Sequence, residues 1–153
     1  MSEILELKKE LYRIANEIIG EKVERNKLSL QELKESAGSE SKSSAGDKHE
    51  TGRAMVHLEQ EKMAQQLATN QSLQSVLVKI DPEISNSVIS LGSLVITDKL
   101  RFFVSVALGK MELNNREYYL VSLTSPLAKQ FIGKQIGDRV TFNEQEYLIE
   151  AIV

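Results

Sequence analysis

The chain changes character at Asp81-Pro82, and that boundary limits its fold more than any other feature. The 80 residues before it contain no proline and are rich in Glu, Lys, Leu, Gln and Ala, residues that lose little on entering a helix. After it Val, Ile, Tyr and Phe predominate, punctuated by glycines and by Asn114-Asn115, the composition of strands joined by turns. The expected fold class is α+β. Residues 1–80 are read as an antiparallel coiled-coil hairpin with its tip at about 38–50, and residues 81–153 as an antiparallel β domain carrying one short helix.

The hairpin follows from spacing. Ile4, Leu7, Leu11, Ile14 and Ile18 recur at alternating intervals of three and four, the seam of a coiled coil. Val23, Leu28, Leu30 and Leu33 continue it imperfectly. Ser36 to Gly46 then contains two glycines and five serines, which relax the backbone or compete for its hydrogen bonds, so a loop is expected there. A second helix is expected from about Asp47 to Val78, with Val56, Met63, Leu67, Asn70, Gln74 and Leu77 near heptad spacing. Two long helices with one connection fold back on each other. A helix of some 30 residues is roughly 45 Å long. The seam thins toward the loop, so the tip is expected to project into solvent.

In the second half, strands are expected near Val88–Thr97, Arg101–Leu108, Glu117–Leu123, Arg139–Phe142 and Tyr147–Ile152, with a turn at Asn114-Asn115. Ser125-Pro126-Leu127-Ala128-Lys129-Gln130-Phe131-Ile132-Gly133 reads as a short helix, with a capping Ser, Pro at its first position and a closing Gly. Phe102, Phe103, Tyr118, Tyr119, Phe131 and Tyr147 are read as core.

Composition excludes several functions. The net charge is −3, and neither half hides a basic excess: residues 1–80 carry 12 Lys/Arg against 13 Asp/Glu, and residues 81–153 carry 7 against 9. A protein that grips nucleic acid unaided usually shows a basic domain. Cysteine is absent, which removes disulfides, a thiol nucleophile and thiolate zinc sites. No apolar run approaches the roughly 20 residues that span a bilayer, and the N-terminus does not read as a secretory signal. No membrane partner and a cytoplasmic location are expected. There is neither a Gly-rich phosphate loop nor a Ser-His-Asp set, so a stand-alone enzyme is not expected.

The segment Ser125-Pro126 through Phe131-Ile132-Gly133-Lys134-Gln135-Ile136-Gly137-Asp138-Arg139-Val140 resembles the C-terminal domain of the Gre family of bacterial transcript-cleavage factors. Leu91-Gly92-Ser93-Leu94-Val95 is similar to the Gly-Ser-Val that opens that domain. The resemblance implies an FK506-binding-protein-like fold for residues 81–153. Its N-terminal counterpart is a coiled coil whose tip carries Gly-Asp-x-x-Glu, matched here by Gly46-Asp47-Lys48-His49-Glu50. The family continues with Asn-Ala-Glu-Tyr where this chain reads Thr51-Gly52-Arg53-Ala54.

The resemblance implies a partner, RNA polymerase, and contact with the nascent RNA 3′ end inside the elongation complex. It also implies a role for Asp47 and Glu50 in sharing Mg²⁺ of the polymerase active site, with Asp47 as metal ligand and Glu50 orienting water. Carboxylates are suitable hard ligands for Mg²⁺, and residues three apart share a helix face. Two carboxylates are too few to hold a metal in the free protein, so no cofactor of its own is expected. Asp-x-x-Glu at a helix start is also a capping box, with Asp47 as N-cap and Glu50 at N3. Both roles are compatible, since a cap can hold the acidic pair rigid.

Lys42, Lys48 and Arg53 are candidate RNA-phosphate contacts, and Ser125, Pro126 and Lys129 candidate polymerase contacts. His49 stands beside the acids. His57 lies eight residues on, about 12 Å along a helix, and is read as a solvated residue. The alternative function is a polymerase-channel regulator without cleavage, to which the altered residues 51–54 point. A peptidyl-prolyl isomerase is suggested by fold alone, which does not carry function, and no aromatic-lined proline pocket is legible. A monomer is expected, because a hairpin that enters a channel should not be paired along its tip.

Overall fold

The computed structural model of the protein describes residues 2–41 and 46–153, and side chains over 3–36 and 52–153. Two long helices, α1 (Ser2–Ser41) and α2 (Gly46–Val78), precede six strands and one short helix. These are β1 (Leu94–Thr97), β2 (Arg101–Ser105), β3 (Gly109–Leu113), β4 (Arg116–Ser122), α3 (Pro126–Phe131), β5 (Arg139–Phe142) and β6 (Gln145–Ile152). The α+β class is as expected. Secondary structure changes near residue 80, whereas compactness groups Glu17–Gln74 as one unit and places the residues through Asn16 with Ser75–Val153 in the other.

The helices run antiparallel: Tyr12 Oη donates to the Leu77 carbonyl, and further along α1 Asn26 pairs with Asn70. On α2 the expected stripe holds, with Val56, Met63, Leu67, Asn70 and Gln74 half-buried and Leu77 buried. On α1 the buried line is Lys8, Leu11, Ala15, Ile19, Val23 and Asn26, one residue round from the expected seam. Of that seam Leu11 is buried, while Ile4, Leu7, Ile14 and Ile18 are half-buried. Counting apolar residues misses a stripe whose members include a lysine, a small alanine and an asparagine.

Of the segment 36–46 expected as a loop, residues 36–41 and Gly46 are helical. Helix α1 runs on to Ser41 and α2 begins at Gly46. One glycine and scattered serines cost a helix about 1 kcal/mol or less apiece, and extending a long helix needs no new nucleus.

Inside the hairpin unit Asn70 Nδ2 donates to Asn26 Oδ1 at 2.7 Å, and Asn26 Nδ2 donates to Met63 Sδ at 3.1 Å. A slip of register would strand these amides, at roughly 1–3 kcal/mol for each buried group left unpaired. The polar layer therefore sets the alignment of the two helices.

The other unit is built on one sheet, ordered β3-β4-β2-β1-β6-β5. Among the described residues it is antiparallel at every pairing except β2 with β4, which run parallel. One face packs Val95, Phe102, Val104, Ile149 and Ile152 against Phe131 of α3. The other presents Leu94, Phe103, Tyr118 and Leu120, all buried. The first turns of α1 lie along that face, where Ile4 and Leu7 line a cavity with Leu113 and Tyr118.

Two expectations for the strands are corrected. Strand β3 was not expected, because Gly109, Lys110 and Glu112 are poor strand formers on an outer strand. It is held by the Asn114-Asn115 turn, whose φ values of 53° and 63° are those of a two-residue type I′ hairpin. Residues 88–93 do not belong to β1. Gly92 turns the chain there at φ 91°, and a Cβ on it would lie 3.1 Å from Ile80 Cγ2, so a side chain at this position meets both backbone strain and a packed neighbour. Ile89 instead exchanges main-chain hydrogen bonds with the exit of α3, donating to Lys134 O and accepting from Gly133 N.

Candidate functional site

Asp47 and Glu50 stand one turn apart near the start of α2, whose first residue is Gly46. Their side chains, with those of Lys48 and His49, lie outside the described set, as does Lys42 altogether. The capping interaction read from the sequence falls there too. Arg53 is exposed on the second turn of α2, and His57 is exposed one turn further on. Among the described residues no group of three His, Cys, Asp or Glu side chains could hold a metal ion. Two carboxylates at i and i+3 supply the hard oxygen donors that Mg²⁺ takes, but only a partial shell.

The Ser125-Pro126 segment folds for local reasons. Ser125 is extended, with φ −64° and ψ 150°, and its Oγ accepts from Ala128 N at 3.1 Å. Pro126 follows where no amide is needed. Pro126 and Lys129 are exposed on the resulting turn, while Ala128 and Phe131 are buried beneath it. Downstream, Asp138 Oδ2 accepts from Gln135 N at 2.8 Å and closes the turn that Gly137 enters at φ 93°. Ser125, Pro126 and Lys129 are thus brought together, in the unit that does not contain Asp47 and Glu50. Ser125→Ala is expected to cost about 1 kcal/mol through loss of the cap, read as a lower urea midpoint with an unchanged slope.

The sequence reading missed two features. The first is an open groove of ≈ 690 Å³ on the sheet unit, beside α3. Tyr119, Val121, Leu127, Phe142 and Tyr147 line it, with Lys99, Arg101 and Arg116 among the other residues that border it. No aromatic-lined proline pocket was legible in the sequence, and the expectation that all six named aromatics are core is corrected for two of them. Phe102, Phe103, Tyr118 and Phe131 are buried, whereas Tyr119 and Tyr147 are half-buried in the groove. The signal was present in strand alternation: on β4, Tyr118 and Leu120 take one face and Tyr119 and Val121 the other.

The second is Lys8, whose side chain is fully buried. Its Nζ donates to the Ile84 carbonyl at 2.6 Å and to the main-chain oxygen of Val153 at 3.0 Å. Burial lowers its pKa to about 8, against a smaller upward pull from the Asp81 carboxylate. No local pattern announces such a residue, since the oxygens that receive it come from residues 76 and 145 positions away in the sequence.

No helix among the described residues is long and apolar enough to cross a membrane. No protein-family model matches the chain. No curated protein matches it either. Among solved structures, the chain is similar to GreA factor homolog 1 (Gfh1) of Thermus thermophilus, with 20% identity over 90% of this chain and 93% of that one, at a TM-score of 0.36.

Proposed function

We propose that this protein binds RNA polymerase, places the α1–α2 tip in the enzyme's secondary channel and stimulates Mg²⁺-dependent hydrolysis of backtracked RNA. The observation that carries this reading is Gly46-Asp47-x-x-Glu50 at the start of the second helix of an antiparallel hairpin, in a chain that continues into the Ser125-Pro126 to Gly137-Asp138 pattern. In this role Asp47 offers a carboxylate ligand and Glu50 orients the attacking water. A shared Mg²⁺, when bound, polarises the phosphoryl oxygens and lowers the pKa of water. Lys42, Lys48 and Arg53 hold RNA phosphates, and Ser125, Pro126 and Lys129 contact the polymerase. The protein acts as a monomer and holds no metal before it meets the enzyme.

A second reading, occupation of the channel without cleavage, is favoured by one observation. Exposed Arg53 stands where the resembled family carries an acidic residue, so the tip offers less negative charge to a metal. The two are separated by measuring RNA cleavage in a backtracked elongation complex with Mg²⁺, alongside binding to the polymerase. Wild type is expected to stimulate cleavage. Asp47→Ala with Glu50→Ala is expected to lower that stimulation on the order of 10²-fold or more, the scale of positioned acid–base groups, with binding retained. Binding without stimulation establishes the regulator, and absence of binding overturns both readings.

A further inference from the structure

The polar layer of the hairpin includes a sulfur. Asn26 is 8% exposed, and its Oδ1 accepts from Asn70 Nδ2 at 2.7 Å. That bond fixes which way the Asn26 amide points. Its Nδ2 is left to donate to Met63 Sδ at 3.1 Å and, at the longer distance of 3.5 Å, to Gln66 Oε1. A thioether is a weak acceptor, and it is also the one atom of this layer that can be oxidised. The chain has no Cys and no Trp, so a mild oxidant falls on its four methionines. Met63 is half-buried in the α2 stripe and so within reach of a small oxidant, while Met55 is 63% exposed. The alignment of α1 and α2 thus depends on a layer with a redox-active member.

We propose that Met63 is an oxidant-sensitive latch of the α1–α2 hairpin. Hydrogen peroxide gives one oxygen atom to the thioether: the O–O bond breaks, an S–O bond forms, the sulfur loses two electrons and the peroxide leaves as water. The 3.1 Å between Sδ and Asn26 Nδ2 falls within the about 2.7–3.2 Å that one N–H···O hydrogen bond occupies. An oxygen added on that side leaves no room for the amide, which withdraws and takes its Oδ1 away from Asn70. An oxygen added on the other lone pair sets a polar group in the half-buried stripe that holds Val56 and Leu67. Either product loosens the layer that sets the register. Reduction of the sulfoxide restores the thioether, so the change is reversible. The latch belongs to the hairpin itself and does not rest on the cleavage reading.

The test treats the full chain with hydrogen peroxide and maps the added oxygen by peptide mass spectrometry. Two variants accompany wild type: Met63→Leu, and Met55→Leu/Met111→Leu, which keeps Met63 as the sole methionine beyond Met1. Each protein is compared with itself before and after treatment, so the cost of the substitution cancels. In wild type and the double variant, oxidation is expected to lower the far-ultraviolet melting midpoint by about 4 °C or more, from buried amides left unpaired. Met63→Leu is expected to take up oxygen at Met55 with an unchanged midpoint. Side-chain amide signals of Asn26 and Asn70 are expected to shift on oxidation of wild type, while those of Asn114 and Asn115 stay in place. Met63 left unoxidised where Met55 is fully converted overturns the proposal. So does an equal fall in Met63→Leu, an unmoved midpoint in the oxidised double variant, or oxidised Met63 with the Asn26 and Asn70 signals unmoved.

Discussion

Lys8→Glu is expected to destabilise the sheet unit by roughly 3–5 kcal/mol, the cost of leaving a buried charge without a partner. In the wild type the ammonium fills a site formed by two oxygens, those of Ile84 and Val153, and has no exposed surface. A carboxylate there would face acceptors with no donor to offer them. Such a loss approaches the whole stability of an ordinary domain, about 5–15 kcal/mol. Lys8→Met separates charge from packing, because it keeps most of the aliphatic length and removes the ion.

The lowered pKa gives this site a distinctive pH dependence. Below pH 8 both folded and unfolded chains carry the proton, and Lys8 adds no slope. Between about 8 in the folded state and the ordinary 10.5 in the unfolded state, the unfolded chain holds more protons. Stability therefore rises with pH across that window. Full relief is worth up to about 3 kcal/mol. A neutral amine still has N–H groups for both oxygens, so the contacts survive the titration. The difference between wild type and Lys8→Met in urea melts at pH 7.5 and pH 10 isolates this group from the tyrosines. A difference that does not change with pH would show that Lys8 is not desolvated in solution.

Phe131→Ala is expected to cost roughly 3–5 kcal/mol, the range for emptying a large aromatic site in a core. The side chain is fully buried under α3, with its ring 4.9 Å from Phe102 and 6.0 Å from Tyr147, both edge-on. Such ring pairs add about 0.5–1.5 kcal/mol beyond the area they bury. At about 2–4 °C per kcal/mol for a chain of this size, the melting temperature should fall by roughly 6–20 °C. The chain has no Trp, and of its four Tyr and four Phe only Tyr12 precedes residue 81, so near-ultraviolet circular dichroism follows the sheet unit. A melt shifted by less than a few degrees would mean that the site collapses around the deletion. Because Tyr147 leans on Phe131 and also lines the groove, Phe131→Leu should lower stability less while still disturbing the groove wall.

What could be read from the sequence is what neighbouring residues settle among themselves. The change at Asp81-Pro82 separates helix from strand because propensity acts residue by residue. Ser125 and Pro126 start α3 because a cap and a fixed φ work within one turn. The heptad stripe of α2 and the Asn114-Asn115 turn are legible for the same reason, whereas β3, which pairs through that turn, was not. At the candidate tip, sequence placed Asp47 and Glu50 one helical turn apart, as the helix bounds of α2 have them.

The remainder depended on residues distant in the chain. Lys8 joins the buried line of α1 only because the Ile84 and Val153 oxygens arrive to receive its ammonium, and Asn26 only because Asn70 faces it. The parallel pairing of β2 with β4 and the Gly92 turn against Ile80 are likewise decided by what lies across the fold. The groove depends on Tyr119, Leu127, Phe142 and Tyr147, contributed by separate elements. Burial and pairing are properties of residues brought together in space, so sequence periodicity determined the elements, and tertiary packing alone decided which polar groups went inside and where a concave surface was left open.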